Sequence, residues 1–444
     1  MKILLLNPPL DDEKSESFIS ESLGIGYITA ALRRDGHEVE VFDARVRRLN
    51  PKKLLGEVAA REYDAIGITA TNGHAKNLIA IARSLRKRRS DALIIAGGYL
   101  PTLCADRLLA LCPEIDILVR GEGEVVASEL FRRIDQGEDW REVPGVAYLK
   151  DGGTVSTPPP SLIEDLDSLP FPARDALDQT KSPIPALIAG SRGCYHRCSF
   201  CCIHSFYGIS GNRAPRFRRP EKIVDEIESI ITTRGIKEFG FVDDDFIGPG
   251  RKGQERAVRI AEEIKSRNLG IAFSMECRAD EVDEDVLKLL KDAGLSRILL
   301  GIESAVPRQL DLYNKRITVE QNRRAVEIVR KTGIKMTAGF IMVDPYVTLD
   351  EASENMQFVR QMGLMDDGNL AHMEFLLKLK LFPGVPLVEK LRADGLLREK
   401  GLDIDYAFKD PLFRWAYRLL MAMNRISGGL RRAMGLFRGS RPGN

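Results

Sequence analysis

Nowhere in these 444 residues does an apolar run reach the length of about eighteen residues that a membrane span needs. The opening Met-Lys-Ile-Leu-Leu-Leu-Asn-Pro-Pro is apolar but short, with no small-residue cleavage site, so it reads as a buried first strand rather than a signal peptide. Charge of one sign is missing too: 66 basic against 64 acidic residues leave a net +2, which marks out no class of partner. There is no nucleic-acid-binding module, internal repeat or low-complexity tract. Cysteine is scarce and odd in number, seven in all, which excludes a simple disulfide framework and points to a reducing compartment, taken here as the cytoplasm. What remains, 44% hydrophobic and 29% charged, is the composition of an ordinary globular chain of two or three domains.

Three of the cysteines, Cys194, Cys198 and Cys201, crowd into Ser-Arg-Gly-Cys-Tyr-His-Arg-Cys-Ser-Phe-Cys. Thiolates at C-x3-C-x2-C spacing can hold three corners of a cubane cluster, which ordinarily takes four Cys ligands. The fourth iron then keeps an open position, and an open position separates a reacting metal site from a closed structural one. Cys202 is adjacent to Cys201 and points apart from it, so it is not counted as a ligand.

Around that loop the pattern is α/β. Strands at 2–7, 38–42, 64–69, 92–96 and 115–119 alternate with helices such as 22–35 and 74–88. This is the signature of a flavodoxin-like (Rossmann-type) parallel sheet over residues 1–140. A linker over 141–185 holds a small hairpin at Asp151-Gly152-Gly153 and stiff proline runs. From Ala186, strands at 186–189, 238–242, 272–276, 297–301, 336–341 and 372–378 alternate with helices. They predict a partial (βα)6 TIM-like barrel over 186–385, with its site at the carboxyl ends of the strands. Residues 386–444 form a helical extension and basic tail. From Leu412 there are seven arginines and no acid, interleaved with Trp415, Leu419 and Met423. A membrane-lying helix is one reading, but the expectation is a terminal helix packed on its own domain, without peripheral membrane contact.

The cysteine loop resembles that of the radical S-adenosylmethionine (SAM) superfamily. The resemblance implies a [4Fe-4S] cluster on Cys194, Cys198 and Cys201, with SAM chelating the open iron. It also implies reductive cleavage to a 5′-deoxyadenosyl radical, fed by an external electron donor such as flavodoxin or ferredoxin. Phe200 matches the position near the adenine. Asp243-Asp244-Asp245, after the second barrel strand, matches the motif that binds the SAM amino group, with Asp243 assigned to SAM. Arg278 is expected on the methionine carboxylate, with Glu303 and Ser304 as further SAM contacts. Asp244, Asp245 and Glu276 are the candidate catalytic groups, with His372 and Glu374 as further acid–base candidates.

The whole chain resembles the subgroup with an N-terminal cobalamin-binding-type domain, through Asn-Pro-Pro, Gly24–Tyr27, Gly97-Gly98, Arg120–Glu124 and Leu381–Pro386. Its cofactor contacts are expected at Asn7, Thr69, Gly97, Gly98, Gly121 and Glu122. The chain has no Asp-x-His-x-x-Gly motif, so no His is supplied as a lower cobalt ligand. His74 either approaches the cobalt or caps its helix, and Tyr99-Leu100 places bulk near the corrin.

Two functions stay open. One is cobalamin-dependent methyl transfer to a small metabolite or natural-product intermediate. The other is a cobalamin-independent radical dehydration or rearrangement, for example of an aminosugar. A distant third is a structural zinc tetrad completed by His196 or His204. Arg213, Arg216, Arg218 and Arg219 are either anion ligands or a solvated basic face.

Overall fold

The computed structural model of the chain describes residues 1–12, 19–58, 61–88, 91–211, 214–364 and 377–433. Its first unit is built on one sheet. Strands β1 (Lys2–Asn7), β2 (Glu38–Asp43), β3 (Ala65–Thr69), β4 (Leu93–Gly97) and β5 (Ile117–Val119) run parallel in the order β2-β1-β3-β4-β5. This is the flavodoxin-like order. Helices α1 (Leu23–Arg34), α2 (Pro51–Val58), α3 (Ala75–Arg88), α4 (Tyr99–Leu103), α5 (Ala105–Leu111) and α6 (Gly123–Gln136) connect and cover them. Alternation within β1 shows why both faces are buried. Ile3 and Leu5 pack under Ile25, Leu32, Leu130 and Phe131, while Leu4 and Leu6 pack under Leu54, Leu78, Ile81 and Leu108.

One expectation about the linker needs correction. The hairpin expected there, β6 (Val146–Lys150) and β7 (Gly153–Ser156), belongs to the first sheet, because β6 pairs antiparallel with β5 and extends it to seven strands. Sequence patterning identifies a hairpin but not the sheet whose edge it completes.

After α7 (Asp175–Gln179) the second unit begins with β8 (Ala186–Ile188), then a short antiparallel pair, β9 (Ser191–Arg192) and β10 (Arg216–Phe217), with α8 (Ile203–Gly208) between them. The series α9 (Pro220–Arg234), β11 (Glu238–Phe241), α10 (Gly250–Ser266), β12 (Ala272–Arg278), α11 (Glu284–Asp292), β13 (Leu295–Glu303), α12 (Pro307–Leu312), α13 (Val319–Thr332), β14 (Lys335–Phe340) and α14 (Leu349–Gln361) follows. Five strands pair in parallel in the order β14-β13-β12-β11-β8, the wall of the partial barrel. Most of the sixth strand expected at 372–378 lies outside the described residues, as do His372 and Glu374; a parallel bridge joins Val343 to Lys378. The extension, read from sequence as helical and irregular, also contains a hairpin. It consists of α15 (Pro386–Ala393), β15 (Leu397–Lys400) paired with β16 (Asp403–Tyr406), and α16 (Pro411–Ala433).

A buried ion network ties the units together. Arg174 donates to Glu21 (2.5 Å), to the Leu187 carbonyl (2.8 Å) and to Glu226; Arg218 donates to the other oxygen of Glu226 (2.5 Å). Glu226 is 1% exposed and Arg174 and Arg218 are each 5% exposed, so each charge relies on its partners in place of water. Removing one partner strands the others. Glu226→Gln is therefore expected to destabilise the protein by about 3–5 kcal/mol. Urea unfolding checks this, and an unchanged transition midpoint would contradict it.

Candidate functional site

Cys194, Cys198 and Cys201 are free thiols on the loop between β9 and β10, at the carboxyl end of β8. The antiparallel pair Arg216↔Arg192 and Phe217↔Ser191 closes this loop like a neck. Glu122, in the turn between β5 and α6, grips the neck from the first unit. Its carboxylate accepts from Arg192 (2.8 Å), from both Nη atoms of Arg216 (2.7 and 3.0 Å) and from the Ile163 amide (2.9 Å). Arg192 reaches on to Glu124 at 2.6 Å. Burial alone would raise the Glu122 carboxyl, but Arg216 and Arg192 outweigh it and hold the group below its ordinary value. Thus Glu122 does line the cleft described below, but both its oxygens are committed to arginines.

The other residues near the cysteines fall into two groups. On one side, Arg278 is pinned by Asp280 (2.9 and 3.1 Å) and by the Lys315 carbonyl (2.7 Å), with Nη1 3.8 Å from the Cys198 sulfur. Lys315 pairs with Glu303 at 2.8 Å. Burial raises the thiols, Cys194 up to about 12, while Lys315 and Arg278 oppose the rise at Cys198. On the other side lie carboxylates. Burial, then Asp243 and Glu276, push Asp244 up to about 7; burial likewise pushes Asp245 up to about 7. Asp244 accepts from the Gly193 amide at 3.1 Å, and Asp245 from the Arg278 amide at 3.3 Å, with its second oxygen unpartnered. Glu276 alternates away from the core residues Met275 and Cys277 onto the inner face, where burial and Glu303 raise it. Phe200 packs edge-on against Tyr313 at 5.6 Å.

Three expected cofactor contacts are placed elsewhere. Asp243 is 1% exposed and turned into the protein, accepting from the Gly190 amide (2.8 Å), Ser191 Oγ (2.6 Å) and Arg256 (3.1 Å). It braces the start of the cysteine loop. Ser304 is fully buried, its hydroxyl donating to Gln309 at 2.6 Å and accepting from the Val306 amide at 3.0 Å. Asn7 donates to Asp43 at 2.9 Å inside the first unit. In each case the side chain leaves a strand end toward the core, which strand position alone does not reveal. Of the arginines after the loop, Arg219 does sit on the solvated surface, whereas Arg216 and Arg218 do not. Arg216 and Arg218 are buried ion-pair members, Arg219 pairs with Asp167 at 2.9 Å, and Arg213 lies outside the described residues.

His74 caps its helical turn, taking the Thr71 amide on Nδ1 at 3.1 Å, and burial and Arg45 lower it to about 4, so it is neutral. His196 is also pushed down to about 4, by burial and then Arg278. Among the described residues no three His, Cys, Asp or Glu side chains converge closely enough for a single ion.

A cavity of about 420 Å³ opens between the units. Thr69, Gly97, Gly98 and Gly121 form one wall and Ser191, Arg192, Val242 and Asp244 another, while Tyr99 packs at a tilt against Phe206 at 4.5 Å along its side. Its inner end is an apolar slot between the sheet and α1 and α6, lined by Leu5, Gly67, Ile95, Ala127 and Leu130. Bare backbone is required here. Gly98 sits at φ +101°, and a Cβ there would lie 2.8 Å from the Ala70 carbonyl oxygen. Leu100 points away into the sheet core, so of the two bulky residues only Tyr99 borders the cleft.

Comparison with known proteins agrees with this layout. The Radical SAM superfamily domain matches residues 188–359, the span that holds the cysteine loop and barrel strands, and the B12 binding domain matches residues 17–131. The chain belongs to the radical SAM superfamily. This radical SAM enzyme is 28% identical over 403 residues to an uncharacterised methyltransferase of Pyrococcus horikoshii, covering 89% of this chain and 84% of that one. It is 31% identical over 352 residues to the anaerobic magnesium-protoporphyrin IX monomethyl ester cyclase of Rubrivivax gelatinosus, covering 76% of this chain but only 61% of that protein. Among solved structures, the cobalamin-dependent SAM radical enzyme OxsB with aqua-cobalamin and SAM bound superposes with a TM-score of 0.80 at 20% identity. The match covers 99% of this chain and 69% of that one, a likeness of fold.

The cofactors of this radical SAM family are the [4Fe-4S] cluster and SAM, and the B12 domain brings the fold that holds cobalamin. The donor set fits: three free thiols share one loop, and the glycine-lined cleft with its apolar slot suits a large flat ligand. Filling the slot with Ala127→Phe is expected to cut retention of hydroxocobalamin on gel filtration by roughly tenfold or more, by the logic of overpacking a fitted site, while iron content stays unchanged. Retained corrin in that variant would contradict the assignment.

The Asp244 shift carries a pH signature. Its value in the fold lies above the ordinary 3.8, so its stabilising contribution is full below that pH and is lost as pH rises through about 7. In cluster-free protein, Asp244→Asn is expected to match the parent at pH 4 and to exceed its stability at pH 8 by on the order of a few kcal/mol. Denaturant titrations at the two pH values read this out, and a constant difference would refute it.

Proposed function

We propose that the protein is a cobalamin-dependent radical SAM methyltransferase acting on an unactivated carbon of a small molecule. One observation carries this reading: Asp244 stands at once in the cleft of the B12-type unit and within electrostatic reach of Cys194 and Cys201. A radical formed at the cysteine loop and a methyl donor in the cleft would thus meet across one wall. The corrin, when bound, supplies the methyl group, and the cluster with SAM supplies the radical.

The chain's own residues do the rest. Cys194, Cys198 and Cys201 take three corners of the cluster. Arg278 and Lys315 offset the negative charge gathered at Cys198. Phe200 would lie beside the adenine, and Glu303, held by Lys315, would contact SAM from the end of β13. Thr69, Gly97, Gly98 and Gly121 let the corrin approach backbone. Asp244 and Asp245, raised to about 7, and Glu276, raised by burial and by Glu303, would handle proton transfer at the substrate. The enzyme would work in the reducing cytoplasm, drawing electrons from a flavodoxin or ferredoxin. A second reading is radical rearrangement or dehydration without corrin; the similarity to a cyclase supports only that the reaction can be other than methyl transfer.

Anaerobic assay for 5′-deoxyadenosine tests both readings. The reconstituted protein is expected to release it, and Cys198→Ala to abolish release. Hydroxocobalamin is expected to be retained at about one equivalent per chain. Release of 5′-deoxyadenosine with no retained corrin would overturn methyl transfer in favour of the second reading; no release at all would overturn both.

A further inference from the structure

The last described helix, α16, is fastened on one side and bare on the other. Phe413, 6% exposed, and Tyr417 each pack against Phe408 at 5.1 Å, joining the helix to the β15–β16 hairpin through the Tyr406–Phe408 contact. On the far side Leu412 and Trp415 are each 68% exposed, Met423 59% and Leu419 47%. Steps of three, four and four residues put these four in one stripe along the helix. Of the fourteen large apolar side chains exposed among the described residues, five, counting Leu420, lie within this stretch of α16, a concentration that scattered surface hydrophobes do not produce. Arg414 and Arg418 flank the stripe, and from Leu412 onward the sequence has seven arginines and no acid.

We propose that α16 docks the enzyme on an anionic membrane surface, with Leu412, Trp415, Leu419 and Met423 at the boundary of headgroups and acyl chains and Arg414 and Arg418 on lipid phosphates. Charge selects this occupant over a second copy of the chain. Pairing two such helices would bring their arginines together with no acid on either helix to neutralise them, whereas an anionic bilayer offers both an apolar layer and the opposite charge. The contact is with the surface only: among the described residues, no helix is long and apolar enough to cross a membrane.

Full-length, cluster-loaded protein is sedimented anaerobically with vesicles of phosphatidylglycerol and phosphatidylcholine, and with vesicles of phosphatidylcholine alone. Partitioning is expected to be greater on the anionic vesicles by on the order of tenfold or more and to weaken at high salt. In a Trp140→Phe background, Trp415 emission is expected to shift to the blue on anionic vesicles alone. The exposed-site double variant Trp415→Ser/Leu419→Ser is expected to lose this partitioning yet release 5′-deoxyadenosine in vesicle-free buffer at the parent rate. Equal partitioning on both vesicles, or none on either, would overturn the proposal. So would a concentration-dependent dimer in light scattering that the double variant abolishes, since the stripe would then belong to a second copy.

Discussion

The arrangement hangs on one carboxylate. Glu122 leaves a glycine turn at the end of β5 and is held, out of water, by two arginines that face each other across the neck of the cysteine loop. An ion pair so deeply placed gives modest net stability, because desolvation offsets most of the attraction, but it gives position. The loop that carries the thiols cannot rotate at its neck without stranding a charge. The wall of the B12-type cleft and the base of the thiol loop are therefore tied to each other by charged side chains that are already committed to one another.

The three aspartates at the end of β11 show how one strand exit serves three purposes. Asp243 turns back to brace Gly190 and Ser191, Asp244 faces the cleft, and Asp245 meets the amide of Arg278. Asp243 has three donors where it is buried, including the guanidinium of Arg256. The other two are left with one backbone donor each, which is why burial lifts them toward neutrality. The same economy applies to the thiols: their burial disfavours charge, and Arg278 and Lys315 are the cations near Cys198 that make a thiolate tolerable there.

Much of this was legible in the sequence. The period of the apolar residues marked both α/β units and their parallel strands, though not the short antiparallel pairs β9–β10 and β15–β16, because parallel strands buried on both faces read as continuous runs such as Ile3–Leu6. The cysteine spacing marked the loop that holds the three thiols, and glycine pairs marked the cleft, because close approach of backbone demands them at positions such as Gly98. Direction was not legible. Asn7, Asp243 and Ser304 stand at strand ends, yet turn inward, and whether a terminal side chain faces core or ligand depends on how the chain leaves the sheet. Partners distant in sequence were equally hidden. Arg192 precedes Cys194 by two residues and Glu122 and Glu124 alternate in their turn, so the charges were visible, but nothing in one sequence joins position 122 to positions 192 and 216.

The antiparallel hairpin that finishes the first sheet has a mechanical consequence. Without it, β5 would be a bare rim, and a strand of three residues with unpaired amides frays readily and invites foreign strands. β5 is also the strand from which the Glu122 turn springs. By adding β6 and β7 beyond it, the chain moves its vulnerable border two strands outward, away from the turn that aligns the two halves.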